Sequence, residues 1–326
     1  MKLKKLLAVV LICVMMMSGM VVRGTAGVLS LNQSQNDAFC SKMIMEAEAN
    51  VTQEQIDEAY RIMEETEQFF LNLSPESLWE AYLVENHEFS RIGMSQRELL
   101  AIKLEVQALY DEIMANKDFS PRSLLPSGTL LAYTRHFSGH DGVGIIGRTA
   151  IEANGHSALN DAEDAFPNNY MKQDAYRHYL WNFSAVRNLA VYWSQIGRVR
   201  STCIYTTNRE LATNILRRYP SLDVEEPTAN QLATALNLRN NFFDRTFEQW
   251  DALFTDEGGR DDLMDLWNNE RGRQDGVNSG NSLTLFNNRW NANTVIKSNS
   301  TTDVTAHRRQ FIWINGWYVP VRHPIW

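Results

Sequence analysis

The chain has 326 residues, a formal net charge of −8 and three cysteines. Its net negative charge argues against binding to a nucleic-acid phosphate backbone by charge attraction, so no nucleic-acid partner is expected. Arginines such as Arg177 and Arg187 could still form a local basic site. The length suits one large domain or two smaller ones.

The first residues have the pattern of a secretory signal. Three lysines within residues 1–5 precede an apolar run over residues 6–22, and small residues lead to Ala26. We predict a signal peptide over residues 1–26, cleaved after Ala26, and hence a secreted protein. The alternative is a chain anchored in the membrane by an uncleaved signal. No later segment is apolar enough to cross a bilayer, so the mature chain is not expected to insert stably.

Residues 27–119 are predicted to form an N-terminal helical region. Thr52 and Gln55 have the spacing of a capping box before an apolar-periodic segment. Ser74 and Pro75 mark the start of a second helix, with proline in its first turn. We expect this region to pack on the core rather than to carry chemistry.

Residues 120–280 are predicted to form the helical core domain. Its first part, residues 120–157, is rich in glycine and proline and is expected to be mostly loop. The GxGxxG pattern at residues 142–147 would signal dinucleotide binding only after a strand and within a βαβ unit. Neither is evident, so we interpret the match as chance and the glycines as turn or packing residues.

Two segments of this domain carry polar residues at helical spacing. On a helix, each segment would place its polar residues on one face. The first face contains Asp174, Arg177, His178, Trp181 and Asn182, and the second contains Asp265, Asn268, Asn269, Gly272 and Arg273. Burying such groups is costly unless they bind one another or a ligand. We therefore predict two helices that face each other across a polar site.

His178 is the strongest candidate for chemistry. It could act as a general base oriented by a carboxylate, or as a metal ligand beside Asp174, Glu210 or Asp265. It could equally be a structural histidine in a buried hydrogen-bond network. No cofactor is identified, and a divalent metal is one of the open alternatives.

The neighbouring polar residues have the same two interpretations. Arg177 and Arg273 could hold an anionic group with their planar guanidinium groups, or form salt bridges across the helix pair. Asn268 and Asn269 are poor helix formers, so they could orient a substrate or water, or bridge neighbouring helices. The pair His136 and His140 has the i, i+4 spacing of metal ligands, but the glycines around it weaken this hypothesis.

Helical patterns also cover residues 207–218 and 228–256. Within the second, Asn237 to Arg245 parallels Asp265 to Arg273, which could supply a third polar face.

Residues 281–326 form a C-terminal segment in which Asn315 and Gly316, between two apolar runs, predict a small β-hairpin. Cys40 and Cys203 could form a disulfide in an exported protein, or remain unpaired.

The two polar segments resemble the motifs of a bacterial domain family found on secreted proteins and at the ends of toxin-like polypeptides. The family pattern is a DAxRHAxWN helix, a His-Glu pair and an MDxxNNxxGR segment. Residues 174–182 match the first with Tyr179 in place of alanine, and residues 264–273 match the last in full. Glu210 matches the middle element, but Arg209 stands where the family has histidine.

The resemblance covers roughly residues 150–277, and it implies a polar site without a particular reaction. The predicted fold is mainly α-helical, with paired polar-faced helices and a small C-terminal β-hairpin. The first functional hypothesis is a hydrolase-like secreted enzyme that acts on an envelope or target-cell component. The second is a non-catalytic binding or structural module whose polar helices form a buried network. The candidate site residues are His178, Asp174, Arg177, Glu210, Asp265, Asn268, Asn269 and Arg273.

Overall fold

The computed structural model describes residues 40–85, 100, 103–104, 107, 110–111, 129–189, 195–243, 257–298, 300 and 302–304. The chain divides into two compact units, Met1–Met43 and Ile44–Trp326. In the first unit the described residues, 40–43, are helical. The predicted signal peptide and the predicted hairpin near Asn315 lie outside the described residues.

Every regular element among the described residues is helical, which confirms the predicted mainly α-helical class. Helices of the second unit include α1 (Gln53–Leu71), α2 (Pro75–Glu85), α3 (Thr129–His140), α4 (Ile145–Ala165), α5 (Tyr170–Asn188), α6 (Gln195–Arg218), α7 (Ala229–Phe243), α8 (Glu257–Gly276) and α9 (Ser282–Asn291), with a 3-10 turn at Pro220–Leu222. Within the described ranges, no helix is both long enough and apolar enough to span a membrane.

The starts of the first two helices are those that the sequence predicts. The Thr52 side chain accepts a hydrogen bond from the Gln55 backbone, and the Gln55 side chain accepts one from the Thr52 backbone. Each bond satisfies a backbone N–H that the first turn of a helix leaves without a partner. Helix α2 begins at Pro75, where the missing N–H costs nothing.

The prediction of a loop-dominated stretch over residues 120–157 is wrong where the structure describes it. Helices α3 and α4 occupy most of residues 129–157. The glycines that suggested a loop have particular uses instead. Gly142 has φ +80° in the short connection between the two helices, and Gly144 is the N-cap of α4. No strand precedes this GxGxxG pattern among the described residues, in line with its interpretation as chance.

Helix α5 lies at the centre of the second unit. It packs on α8 along one side and on α4 along another, while α6 contacts α3, α5 and α8. Helix α1 packs against α7 and α3, as expected for an N-terminal region that covers the core. The aromatic side of α5 buries Tyr176, Tyr179 and Phe183 against Phe286 of α9. These contacts fix the rotation of α5 and thereby turn its polar face toward α8 and α6.

The close approach of α5 and α8 depends on two glycines. A Cβ atom at Gly272 would overlap the carbonyl oxygen of Tyr179, and one at Gly276 would lie 2.7 Å from the carbonyl oxygen of Phe183. Only glycine allows the two backbones to come this near. The contacts advance in the same direction along both helices, so α5 and α8 run parallel and their polar residues meet in register.

Candidate functional site

The structure brings together the two polar faces that the sequence predicts. Asp174, Arg177 and His178 come from the first half of α5, Asp265 comes from α8, and Glu210 comes from α6. We call Asp174, His178, Glu210 and Asp265 the His178 cluster. Three helices therefore supply its four side chains, and Arg177 lies at its edge.

The imidazole of His178 is surrounded by carboxylates. Its Nε2 atom lies 3.0 Å from Oδ1 of Asp265 and 4.0 Å from Oδ1 of Asp174, and its Nδ1 atom lies 3.5 Å from Oε1 of Glu210. Nη2 of Arg177 lies 2.8 Å from the same Nε2 atom and donates to Oδ1 of Asp174 at 2.7 Å. Five candidate residues of the sequence analysis thus occupy one site.

The cluster is deep on one side and open on the other. The His178 side chain is 7% exposed and that of Glu210 is 10% exposed, whereas Asp174, Asp265 and Arg177 are 15%, 17% and 36% exposed. Among these side chains, exposure therefore increases from the histidine toward Arg177 and the two aspartates.

Burial shifts the pKa values of two groups in the cluster, His178 and Asp174. Burial, followed by the positive charge of Arg177, lowers the pKa of His178 well below its usual value, and a hydrogen bond with Asn269 opposes the change only in part. Burial also raises the pKa of Asp174, while Arg177 acts in the opposite direction. The lowered pKa favours the neutral imidazole of His178, the form that can act as a base or a ligand.

Two residues that the sequence analysis did not select lie beside the cluster. The negative charge of Asp261 adds to the rise in the pKa of Asp174, and Tyr170 is 69% exposed at the start of α5. Burial, and then the charge of Asp174, raises the pKa of Tyr170. Helical spacing could have found both residues, because Asp261 precedes Asp265 by one turn and Tyr170 precedes Asp174 by one turn.

Deeper along the same interface lies a second group of polar side chains, which we call the Asn182 network. Oδ1 of Asn182 accepts from Arg273 at 2.7 Å and from Thr206 at 3.1 Å, and Nδ2 donates to Asn269 at 2.6 Å. Arg273 also donates to Glu270 at 2.9 Å. These residues are buried, so the guanidinium of Arg273 is directed at protein groups and not at solvent.

Asn268 has a third environment. Its side chain donates to the carbonyl oxygen of Ile296 and accepts from the backbone N–H of Ile296, both at 3.0 Å. This two-point contact fixes the segment after α9 against α8. Asn268 thus bridges neighbouring elements, which is one of the two roles that the sequence left open for it. Asn269 also bridges two helices, because its side chain accepts a hydrogen bond from Asn182.

Other residues noted in the sequence lie away from the cluster. Nε1 of Trp181 donates to the carbonyl oxygen of Ile151 at 2.6 Å. Arg209, half-buried on α6, acts with its charge on the hydroxyl of Tyr205. Cys40 and Cys203 are both free thiols, the second of the two alternatives left open for them.

The segment that begins at Asn237, which parallels the segment from Asp265 in sequence, has a structural role where the structure describes it. Arg239 forms an ion pair with Asp141 at 2.7 Å and contacts Asn208, all three being at least partly buried. Asn237 accepts from Gln55 of α1 at 2.6 Å. The described part of this segment therefore connects α7 to α1, α3 and α6.

His136 lies on α3 without a hydrogen-bond partner at either ring nitrogen, and its side chain is 1% exposed. Burial, and then the charge of His140, lowers its pKa to about 3. Among the described residues, Asp174, His178 and Asp265 form a group of three metal-ligating side chains close enough to share an ion, and His136 and His140 belong to no such group.

No protein-family model matches this chain, and neither does any curated protein or any solved structure.

Proposed function

We propose that this chain is a secreted bacterial hydrolase-like enzyme that reacts at the His178 cluster. The observation that carries the proposal is the position of the His178 imidazole, which is held among carboxylates from three helices at the more exposed end of the interface. Perturbed ionisable groups in such a position are typical of functional sites.

The cluster has the groups that hydrolysis requires. His178 with Asp174 and Asp265 activates a water molecule, and Glu210 fixes the orientation of the imidazole from its other side. Arg177 is exposed enough to receive an anionic group of a substrate or the charge that develops in the transition state. We assign Asn268, Asn269 and Arg273 to the framework that holds these groups in place.

Export and the bacterial family are part of the same proposal. They are supported by the apolar N-terminal run and by the match of residues 174–182 and 264–273 to the family motifs. A secreted enzyme of this kind would act on an envelope or target-cell component. Arg209, in place of the family histidine, lies on α6 next to Glu210, so the carboxylate of the middle motif is kept.

A non-catalytic module is the second candidate, and the Asn182 network favours it. Its hydrogen bonds join α5, α6 and α8 in the interior, and a structural role accounts for them without any reaction. In this candidate His178 extends the network toward the surface and has no reaction of its own.

Hydrolysis assays separate the two candidates. We would test residues 27–326 on chromogenic ester, phosphodiester, glycoside and peptide substrates, comparing His178→Asn with His140→Asn, which changes an exposed histidine at the end of α3. The proposed enzyme hydrolyses at least one class, His178→Asn lowers the rate about 100-fold or more, and His140→Asn leaves it unchanged. Hydrolysis of no class would favour the non-catalytic module, and equal rates in the two variants would contradict a reaction at the His178 cluster.

A further inference from the structure

We propose that Asp174, His178 and Asp265 form a binding site for one divalent metal ion. The inference deepens the proposed function, on which it rests only for the catalytic use of the ion. The carboxylate oxygens and an imidazole nitrogen of these residues all lie within 4.8 Å of one another. They come from two helices whose spacing is fixed by Gly272, so the ligand set is built into the fold rather than carried on a loop.

The distances suit a first-row ion. Protein nitrogen and oxygen ligands lie about 2.0–2.2 Å from such a metal, so neighbouring ligand atoms lie about 3 Å apart and opposite ones about 4 Å apart. The separations from Nε2 of His178 are 3.0 Å to Asp265 and 4.0 Å to Asp174. Small side-chain rotations would bring all three atoms onto one ion.

With Asp265 ionised, the contacts at Nε2 of His178 conflict whether or not Nε2 carries a proton. If Nε2 carries a proton, it faces the N–H donor of Arg177 at 2.8 Å; if it does not, its lone pair faces the carboxylate oxygen of Asp265 at 3.0 Å. A cation between Nε2 and the aspartates resolves the conflict, because lone pairs of all three groups then point to it. The conflict involves a buried side chain, since that of His178 is only 7% exposed.

Arg177 shows where the ion would lie. Its Nη2 atom is 2.7 Å from Asp174 and 2.8 Å from Nε2 of His178, the position of a positive charge shared by two of the three ligands. The Arg177 side chain is 36% exposed, so it can turn outward when a metal ion enters. In the turned position it would lie beside the ion and could hold the anionic group of a substrate.

Glu210 completes the arrangement from the other side of the ring. Its Oε1 atom lies 3.5 Å from Nδ1 of His178, which is longer than an ordinary hydrogen bond. Metal-ligating histidines usually donate their second N–H to a carboxylate, which leaves the other nitrogen free for the ion. Movement of the imidazole toward Glu210 by a few tenths of an ångström would form this bond.

The ligand types indicate which ion. One imidazole and two carboxylates suit Zn²⁺ or Mn²⁺, whereas Ca²⁺ and Mg²⁺ prefer all-oxygen sites. Three protein ligands leave at least one position for water. The nearby charge of Asp261 makes the surroundings still more negative and favours a divalent cation.

Calorimetric titration of chelator-treated protein with Zn²⁺ and with Mn²⁺ tests the site directly. We expect one ion per chain, and we expect Asp265→Asn and Asp174→Asn each to weaken binding about 100-fold, with about 10-fold for Glu210→Gln. The matched control is Asp164→Asn, an exposed aspartate on α4, which should leave binding unchanged. Arg177→Ala should tighten binding, because it removes the competing guanidinium.

Thermal unfolding of each variant with and without metal serves as the folding control, since an ion bound by the native state raises the melting temperature. The inference is overturned if the wild-type protein binds neither ion, or if Asp265→Asn and Arg177→Ala bind like wild type. The two proposals fail separately. Metal binding without hydrolysis of any substrate overturns only the enzyme, and hydrolysis by protein that binds no metal overturns only the metal site.

Discussion

Nε2 of His178 lies 3.0 Å from Oδ1 of Asp265, and this contact joins α5 to α8 at the open end of their interface. One turn further along both helices, Asn182 meets Asn269 and Arg273 in the interior. The same pair of polar faces therefore changes from an accessible cluster to a closed hydrogen-bond network within a few residues. The two ends should respond differently to substitution.

Asn182→Ala should destabilise the protein more than His178→Ala. The first change removes the acceptor of Arg273 and Thr206 and the donor to Asn269, and each buried group left without a partner costs about 1–3 kcal/mol. His178 has conflicting or long contacts, so its loss should cost at least about 1 kcal/mol less. Urea denaturation of both variants measures the difference. Equal losses would mean that His178 is a structural part of the network.

Gly272→Ala should disrupt the packing of α5 on α8. The new methyl group would overlap the backbone of Tyr179, and we expect a loss of about 3 kcal/mol or a failure to fold, although alanine is the better helix former by about 1 kcal/mol. The control is Gly280→Ala, where the new methyl group meets only the Leu285 side chain. Melting temperatures of the two variants provide the check. A stable Gly272→Ala protein would contradict the close approach of the helices.

Asn268→Asp should destabilise the segment after α9. The carboxylate can still accept from the N–H of Ile296, but it can no longer donate to the carbonyl oxygen of Ile296, so two acceptors face each other in the interior. We expect a loss of about 2–3 kcal/mol in the free energy of unfolding. Asn288→Asp, on the exposed side of α9, is the matched control and should unfold like wild type.

The protein should lose stability in acid through His136. The pKa of this buried imidazole is lowered to about 3, so the folded state resists a proton that the unfolded chain accepts near its usual value of 6.5. Its contribution is therefore complete above pH 6.5 and is lost as the pH falls toward 3, by about 1.4 kcal/mol per pH unit. His178, whose pKa is lowered as well, adds a change of the same sign.

His136→Leu isolates this effect. The variant lacks the buried base, so the decrease in stability between pH 7 and pH 4.5 should be smaller than in wild type by about 2–3 kcal/mol. His140→Leu is not a neutral control, because burial lowers the pKa of His140 as well, so this variant should also show a weaker loss of stability in acid. Denaturant titrations at several pH values give the comparison. If the free energy of unfolding fell equally with pH in His136→Leu and in wild type, His136 would take up a proton as readily in the folded state as in the unfolded chain, which would contradict the prediction.

Local signals in the sequence predicted several helix starts, because caps depend on neighbouring residues alone. The capping box formed by Thr52 and Gln55 at the start of α1 and Pro75 at the start of α2 are the two examples. The same reasoning failed for α3 and α4, where glycines suggested loops. Gly139 and Gly155 are helical, and their lack of a side chain leaves room for Arg148 and for the indole of Trp181. Such a use depends on distant residues and leaves no local signal.

The sequence by itself determined the helical class and the residues that share each polar face, because helical spacing fixes which side chains point the same way. Only the tertiary structure decided that Asp174, His178 and Asp265 meet near solvent while Asn182 and Arg273 are enclosed. Periodicity defines the direction of a side chain around the helix axis but not its depth along the interface. That depth depends on where α6 crosses the pair and on how closely Gly272 and Gly276 allow the backbones to approach.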